Sequence, residues 1–143
     1  MIYVDTSVVV SIVVPEPQSP TAMAWFARAE TSLTSSWWLL PEAHSAISLK
    51  RRLKHISDAQ EAMARRELEH FIKNAVRLIP ASIDVFKLAA RLTGQHHQNL
   101  RAGDALHVAS AKISGAKSLA TFDTVMARTV EMNGIANVFN HSA

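Results

Sequence analysis

The chain has no cysteine in 143 residues. This excludes disulfides, thiolate zinc sites and cysteine nucleophiles. Glycine is scarce, with four residues, and neither GxGxxG nor a GxxxxGK phosphate loop occurs. No glycine-rich cradle for a nucleotide phosphate is therefore available. Long hydrophobic runs are missing as well. The apolar start, MIYVDTSVVVSIVV, is broken by Asp5, and it is shorter than the roughly 20 residues that span a bilayer. No basic stretch precedes it, as one would in a secretory leader. The expectation is a cytoplasmic protein with no membrane partner. A large excess of one charge is also absent: fifteen Lys+Arg face twelve Asp+Glu, for a net charge of +3 and a pI near 9.6. That balance leans only weakly toward an anionic partner.

What is present suits one soluble globular domain spanning 1–143. The chain is 48% hydrophobic and 19% charged, without repeats or low-complexity tracts, and its length is that of a single core. Short apolar runs alternate with helical spacing. Strand readings fall on Ile2–Val4, 33–37, 77–79, 118–121 and 136–139. Helical spacing covers 39–54, 82–94, 104–113 and 123–132. Ser57 and Gln60 form a capping box that opens a helix to about 76. Ser19 before Pro20 predicts an N-cap and a helix over 20–30. Residues 8–14 have strand propensity, but the Thr6–Ser7 pair equally offers a cap for a buried helix, and both readings stand. Strands separated by helices predict parallel pairing in an α/β sandwich. In such sheets functional groups collect at the carboxyl ends of the strands.

Four acids follow that rule. Asp5 directly follows the first strand and Asp123 the fourth. Glu42 lies one short turn past the second, and Asp104 opens the helix beginning Ala105-Leu106-His107. Each has an apolar neighbourhood, where an isolated carboxylate is costly unless it is paired, hydrogen-bonded or metal-bound. Four converging carboxylates would raise one another's pKa or recruit a cation, and all-oxygen ligation selects Mg²⁺ or Mn²⁺. Taken singly, Asp104 and Asp123 also read as helix N-caps, and Glu42 as a first-turn acid complementing the helix dipole. Asp5 has less to cap, because Thr6 could do that work. An aspartyl-nucleophile phosphohydrolase would want a second Asp two residues after Asp5, where Ser7 stands.

Four motifs then act together. These are Ile2-Tyr3-Val4-Asp5-Thr6-Ser7, Pro41-Glu42-Ala43-His44-Ser45-Ala46, Asp104-Ala105-Leu106-His107-Val108-Ala109 and Ala120-Thr121-Phe122-Asp123. In order and spacing the chain resembles the PIN-domain ribonucleases, most closely the VapC-type toxins of prokaryotic toxin–antitoxin pairs. The resemblance implies a three-layer α/β/α sandwich around a five-stranded parallel sheet. It implies a Mg²⁺-dependent endoribonuclease, with Mn²⁺ as a substitute, whose metal and catalytic acids are Asp5, Glu42, Asp104 and Asp123. Thr6 or Ser7 would supply a hydroxyl near the metal. It further implies a cognate antitoxin whose peptide fills the active groove, an RNA substrate and a homodimer.

Asp5, Glu42 and Asp104 are expected as the principal ligands, with Asp123 on a second ion or a ligating water. Arg101, just before Asp104, is a candidate for the scissile phosphate. His107, three residues after Asp104 on one helix face, reads as structural or as a contact with substrate or the metal shell. The adjacent His96 and His97 point apart and read as a polar loop. Arg51, Arg52 and Lys54 read as a solvated helix end, with contact to an RNA backbone as the functional alternative, and Trp25 and Phe26 as core or as an antitoxin-facing patch. The competing reading is a catalytically silent PIN-like module that binds RNA or protein. Outside the four acids, fifteen basic groups face eight acidic ones, so a basic surface surrounds a negative site, as an RNA backbone meeting a metal requires.

Overall fold

Asp5 ends the first strand and starts the first helix, and the rest of the sheet is arranged around that corner. In the computed structural model, which describes residues 1–139, strand β1 is Ile2–Val4 and helix α1 is Thr6–Val13. The valine run is therefore helix. Val8 and Val9 are fully buried on α1, and tertiary burial overrides their strand propensity. The cap is Asp5, whose carboxylate accepts from the Val8 N–H at 3.4 Å. Thr6 is already the first helical residue, so the expectation that it would free Asp5 from capping is corrected.

Helix α2, Ser19–Arg28, carries Pro20 in its first turn but is preceded by Gln18 as N-cap, without a side-chain bond. The Ser19 hydroxyl is instead spent on the loop before it, accepting from Glu16 N–H and donating to the Val14 carbonyl. Strand β2, Leu33–Ser36, ends one residue earlier than its apolar run, and Trp37 enters a turn. Helices α3, Leu39–Arg52, and α4, Asp58–Ala75, follow, the latter with the expected Ser57–Gln60 capping box. Then come β3, Val76–Ile79, α5, Ile83–Thr93, and a 3-10 turn at His96–Gln98. Helix α6, Ala102–Ile113, begins two residues before Asp104, so Asp104 lies inside the first turn and is not its cap. Strand β4, Ser118–Ala120, leads into α7, Thr124–Met132, which is capped by Asp123 accepting from Met126 N–H at 2.8 Å. The short β5, Ala136–Asn137, closes the order.

All pairings are parallel, and the five strands lie in the order β3-β2-β1-β4-β5. The chain runs outward through β2 and β3, then crosses to the other side of β1. The reversal lies between β1 and β4, where α/β sheets open a crevice at their carboxyl ends. Adjacent residues of β1 serve opposite faces. Val4 joins a core with Val8, Leu39, Ile47, Leu68 and Phe71 from the α1–α4 side. Tyr3 joins a second core with Val85, Leu92, Val108, Leu119 and Met126 from the α5–α7 side. This is the expected α/β/α sandwich. Truncating Leu119, fully buried in β4, should cost about 2–5 kcal/mol. Urea unfolding of Leu119→Ala measures it, and a loss below 1 kcal/mol would contradict this packing.

Candidate metal centre

Every acid singled out in the sequence stands at the carboxyl edge of the sheet. Asp5 is at the end of β1, and its N–H donates to the Ala120 carbonyl at the end of β4 (3.1 Å). Its side chain is buried and takes three hydrogen bonds. Oδ1 accepts from Ser7 Oγ at 2.7 Å as well as from Val8, and Oδ2 accepts from Thr121 Oγ1 at 2.9 Å. Burial pushes this carboxyl up to about 6, against the hydrogen bonds from Ser7, Thr121 and Val8.

The Thr121-Phe122-Asp123 turn is fitted to that carboxylate. Thr121 Oγ1 donates to Asp5 and accepts from the Asp123 N–H at 3.0 Å. Ser7 Oγ donates to Asp5 and accepts from the Phe122 N–H at 3.0 Å. The buried Asn137 amide closes the turn on the other side, accepting from Thr121 N–H and donating to its carbonyl, both at 3.3 Å. Ser7 therefore orients Asp5 and the turn together.

Glu42 approaches from the first turn of α3. Its Oε1 accepts from Thr6 Oγ1 and lies 2.8 Å from His107 Nε2, and its Oε2 accepts from Trp38 Nε1 at 3.0 Å. Burial pushes the carboxyl up, but the donors from His107, Thr6 and Trp38 outweigh it and hold it below the ordinary glutamate range. Gly103, in the first turn of α6, makes room for this arrangement. A Cβ there would stand 2.7 Å from Glu42 Oε2 and 3.1 Å from Trp38 Nε1. Glycine inside a helix costs about 1 kcal/mol against alanine, and the close approach of Glu42 accounts for its presence.

Asp104 is next along α6 and partly exposed. Its carboxyl is raised by burial and then by the charges of Asp123 and Glu42, with Arg101 pulling the other way. Asp104 thus senses Asp123 and Glu42. Arg101 Nε lies 3.6 Å from Asp104 Oδ2, and its side chain is 84% exposed, which leaves it at the rim. His107 is fully buried. It contacts Glu42, Thr6 and Tyr3, so the structural alternative describes it better than the substrate-contact one.

In this conformation no three His, Asp or Glu side chains among the described residues form a ready metal cage. Asp5 and Glu42 are turned onto their hydrogen-bond partners. The donor chemistry nevertheless fits a hard cation: four carboxylates and two hydroxyls, all oxygen. The approach of Asp104, Asp123 and Glu42 is one a cation would relieve.

The remaining candidates lie elsewhere. His96 and His97 sit edge-to-face on the 3-10 turn, with ring centroids 5.8 Å apart. Arg51 pairs with Asp58 across the α3–α4 turn. Trp25 packs on Phe139 and Phe26 on Phe71, with centroids 5.4 and 5.0 Å apart. Sequence reasoning missed Tyr3, Gly103, Thr121 and Asn137 as site residues. Thr121 and Gly103 had a signal, standing two residues before Asp123 and one before Asp104. Asn137 had none.

Fold and site together define a parallel α/β protein with four acids gathered where the strand order reverses. The PIN-domain family model matches residues 2–131, and the chain belongs to the PIN-domain family. Three solved structures share the fold. VapC20 from Mycobacterium tuberculosis, described as a sarcin-ricin loop cleaving toxin, superposes with a TM-score of 0.76 at 18% identity, covering 96% of this chain and 98% of that one. FitAcB from Neisseria gonorrhoeae gives 0.70 at 22% identity, covering 98% and 97%. VapBC2 from Rickettsia felis, bound to a DNA fragment from its promoter, gives 0.66 at 18% identity, covering 96% and 97%. Curated protein sequences give no significant match. Among the described residues no helix is long and apolar enough to cross a membrane.

The raised Asp5 carboxyl makes a pH-dependent expectation. Its folded value, about 6, lies above the unfolded one, so folding favours the protonated form. The stability this contributes is present below about pH 4 and is lost as pH rises through 6, by about 2–3 kcal/mol at most. In chelator-treated solution, Asp5→Asn should remove most of that decline between pH 4 and pH 7.5. Parallel urea-derived stability profiles for wild type and variant would contradict the assignment.

Proposed function

We infer that the chain is a metal-dependent endoribonuclease of the VapC toxin type, paired with an antitoxin. The observation that carries this reading is the gathering of Asp5, Glu42, Asp104 and Asp123 at the carboxyl edge of a PIN-domain sheet. Asp5, Glu42 and Asp104 would hold Mg²⁺, or Mn²⁺ in its place, with Asp123 completing the set directly or through water. When bound, the ion would lower the pKa of a water and offset charge on the phosphate and the leaving oxygen. The chain's own part is positional. Thr121 and Ser7 hold Asp5 against the Asp123 turn, and Thr6, His107 and Trp38 hold Glu42. Exposed Arg101, at the rim beside Asp104, suits a phosphate of the substrate backbone.

RNA is the favoured substrate because basic groups outnumber acidic ones by seven outside the pocket, and such a surface supplies sequence-independent affinity for a polyanion. VapC20, which shares the fold, is described as a sarcin-ricin loop cleaving toxin. An apolar groove lined by Val10, Leu49, Leu53 and Phe122 adjoins Thr6 and Ser7. It suits an apolar peptide of the antitoxin lying beside the acids. Ile83 and Phe86, both exposed on α5, support a second copy as a further partner. The cytoplasm, where RNA and antitoxin meet, is the expected location.

Two measurements test this. Purified chain should cleave RNA with Mg²⁺ or Mn²⁺ and stop with chelator. Asp104→Asn should lose at least about 100-fold, the upper end of what partners of metal ligands alone cost, while keeping the wild-type circular dichroism spectrum. Full cleavage by that variant would sink the assignment, and RNA binding without cleavage by wild type would favour the silent module. In cells, induction should arrest growth, and co-expression of the neighbouring small gene should relieve it. Unimpeded growth under strong induction counts against the toxin reading.

A further inference from the structure

Glu42 is held by a chain of hydrogen bonds that starts inside the core. Tyr3, in the middle of β1, is fully buried. Its phenol oxygen accepts from the Ser36 N–H, at the end of β2, at 3.1 Å. The same oxygen lies 2.8 Å from His107 Nδ1, and the two rings meet edge-on with centroids 5.7 Å apart. On the far side of the imidazole, Nε2 lies 2.8 Å from Glu42 Oε1 and 3.1 Å from Thr6 Oγ1.

The protons of this chain follow from its two ends. An ionised carboxylate only accepts, so Nε2 carries a proton and donates to Glu42. At the other end, a phenol with an ordinary pKa of about 10 keeps its own proton at neutral pH, and Tyr3 is fully buried. That proton needs an acceptor. Nδ1, at 2.8 Å, is the acceptor the geometry offers; the buried Ser35 and Ser110 hydroxyls stand beside the phenol but make no hydrogen bond of ordinary geometry with it, so the phenol donates to Nδ1. The imidazole is then the neutral Nε2–H tautomer, with both nitrogens satisfied.

The lone pairs of Glu42 can be assigned the same way. Each carboxylate oxygen accepts about two bonds. Oε1 has two, from Thr6 and His107. Oε2 has one, from Trp38, and it is the oxygen that lies against Gly103, next to Asp104. We propose that Tyr3 and His107 are positioning residues for Glu42: the phenol fixes the imidazole tautomer, and the imidazole saturates Oε1, so that Glu42 meets a cation through Oε2 alone. This rests on the metal-dependent reading above. Tyr3 and His107 touch neither the cation nor RNA and act only through the carboxylate.

The test separates the relay from that reading. In ¹⁵N-labelled wild type, long-range ¹H–¹⁵N correlation should show His107 with Nε2 protonated and Nδ1 as a hydrogen-bond acceptor. Tyr3→Phe should shift the Nδ1 signal and weaken Mn²⁺ binding by about 10-fold in calorimetric titration, within the 10–100-fold range typical for partners of metal ligands. His107→Leu should weaken it by about 100-fold. His107→Gln, which keeps an N–H near the Nε2 position, should recover most of that loss. If His107→Leu fails to fold, Tyr3→Phe, which removes a single atom, still decides. A doubly protonated or Nδ1-protonated ring in wild type overturns the relay. So does a Tyr3→Phe chain that binds Mn²⁺ within twofold of wild type. Wild type that binds no Mn²⁺ defeats the metal reading instead, and the ¹⁵N comparison of wild type with Tyr3→Phe then decides the relay alone.

Discussion

The rest of the site depends on one buried carboxylate. Asp5 ends β1, caps α1 and takes hydroxyl bonds from Ser7 and Thr121. A charge in that position is expensive, and its raised pKa records the expense. The neighbouring hydroxyls are arranged to reduce it, each from an element the fold must bring there. Thr121 comes from the turn after β4, and β4 pairs with β1 in the register Val4 to Ala120. A slip in that register would move Thr121 away and leave Oδ2 bare. The register of two core strands and the solvation of one acid are therefore the same constraint, since a buried carboxylate without partners is strongly destabilising.

The same logic removes an apparent choice between structural and functional readings of the acids. Asp5 and Asp123 cap helices, and Glu42 sits in a first turn. None of these roles uses up the carboxylate. A cap bond occupies one lone pair of about four, and the positive end of a helix favours the ionised form a hard cation needs. Capping fixes the side chain while leaving it charged. Asp104 differs. It is not a helix cap, and among the described residues its ion pair is to an exposed arginine. It is the least committed of the four in the folded chain, and its carboxyl is the one the other acids push upward.

Much of the site was legible because chemistry and topology were written at the same positions. Each strand-end acid stood beside a β-branched or apolar run, and the alternation of strands and helices put those ends on one edge. The valine run was ambiguous because propensity and burial disagree there. Val8 and Val9 are branched residues in a helix packed on α3 and α4, contacts that no local window contains. The start of α6 was read late for a similar reason. Arg101 offers no side-chain cap and Gly103 is a poor helix former, so the local signal begins only at Asp104. Gly103 is there for Glu42, sixty-one positions earlier. Tyr3 and Asn137 were invisible as site residues because each reads as ordinary strand, and their work is done by atoms that meet distant partners.

The two hydrophobic cores explain why the site sits beyond the strands. Glu42 belongs to α3, packed on the face that holds Val4. Asp104 and His107 belong to α6, on the face that holds Tyr3. The sheet separates these layers, and side chains from both can meet only past its edge. Strands β1 and β2 are three and four residues long, which brings that edge close to the helix starts. The bond from His107 to Glu42 then spans the layers directly, over the end of the sheet. It joins the two helices through part-buried, charge-assisted geometry, of the kind worth about 1.5–3 kcal/mol. Because one partner is rooted in the core and the other faces the acids, rigidity in the α6 layer is passed to Glu42 without a metal being needed to impose it.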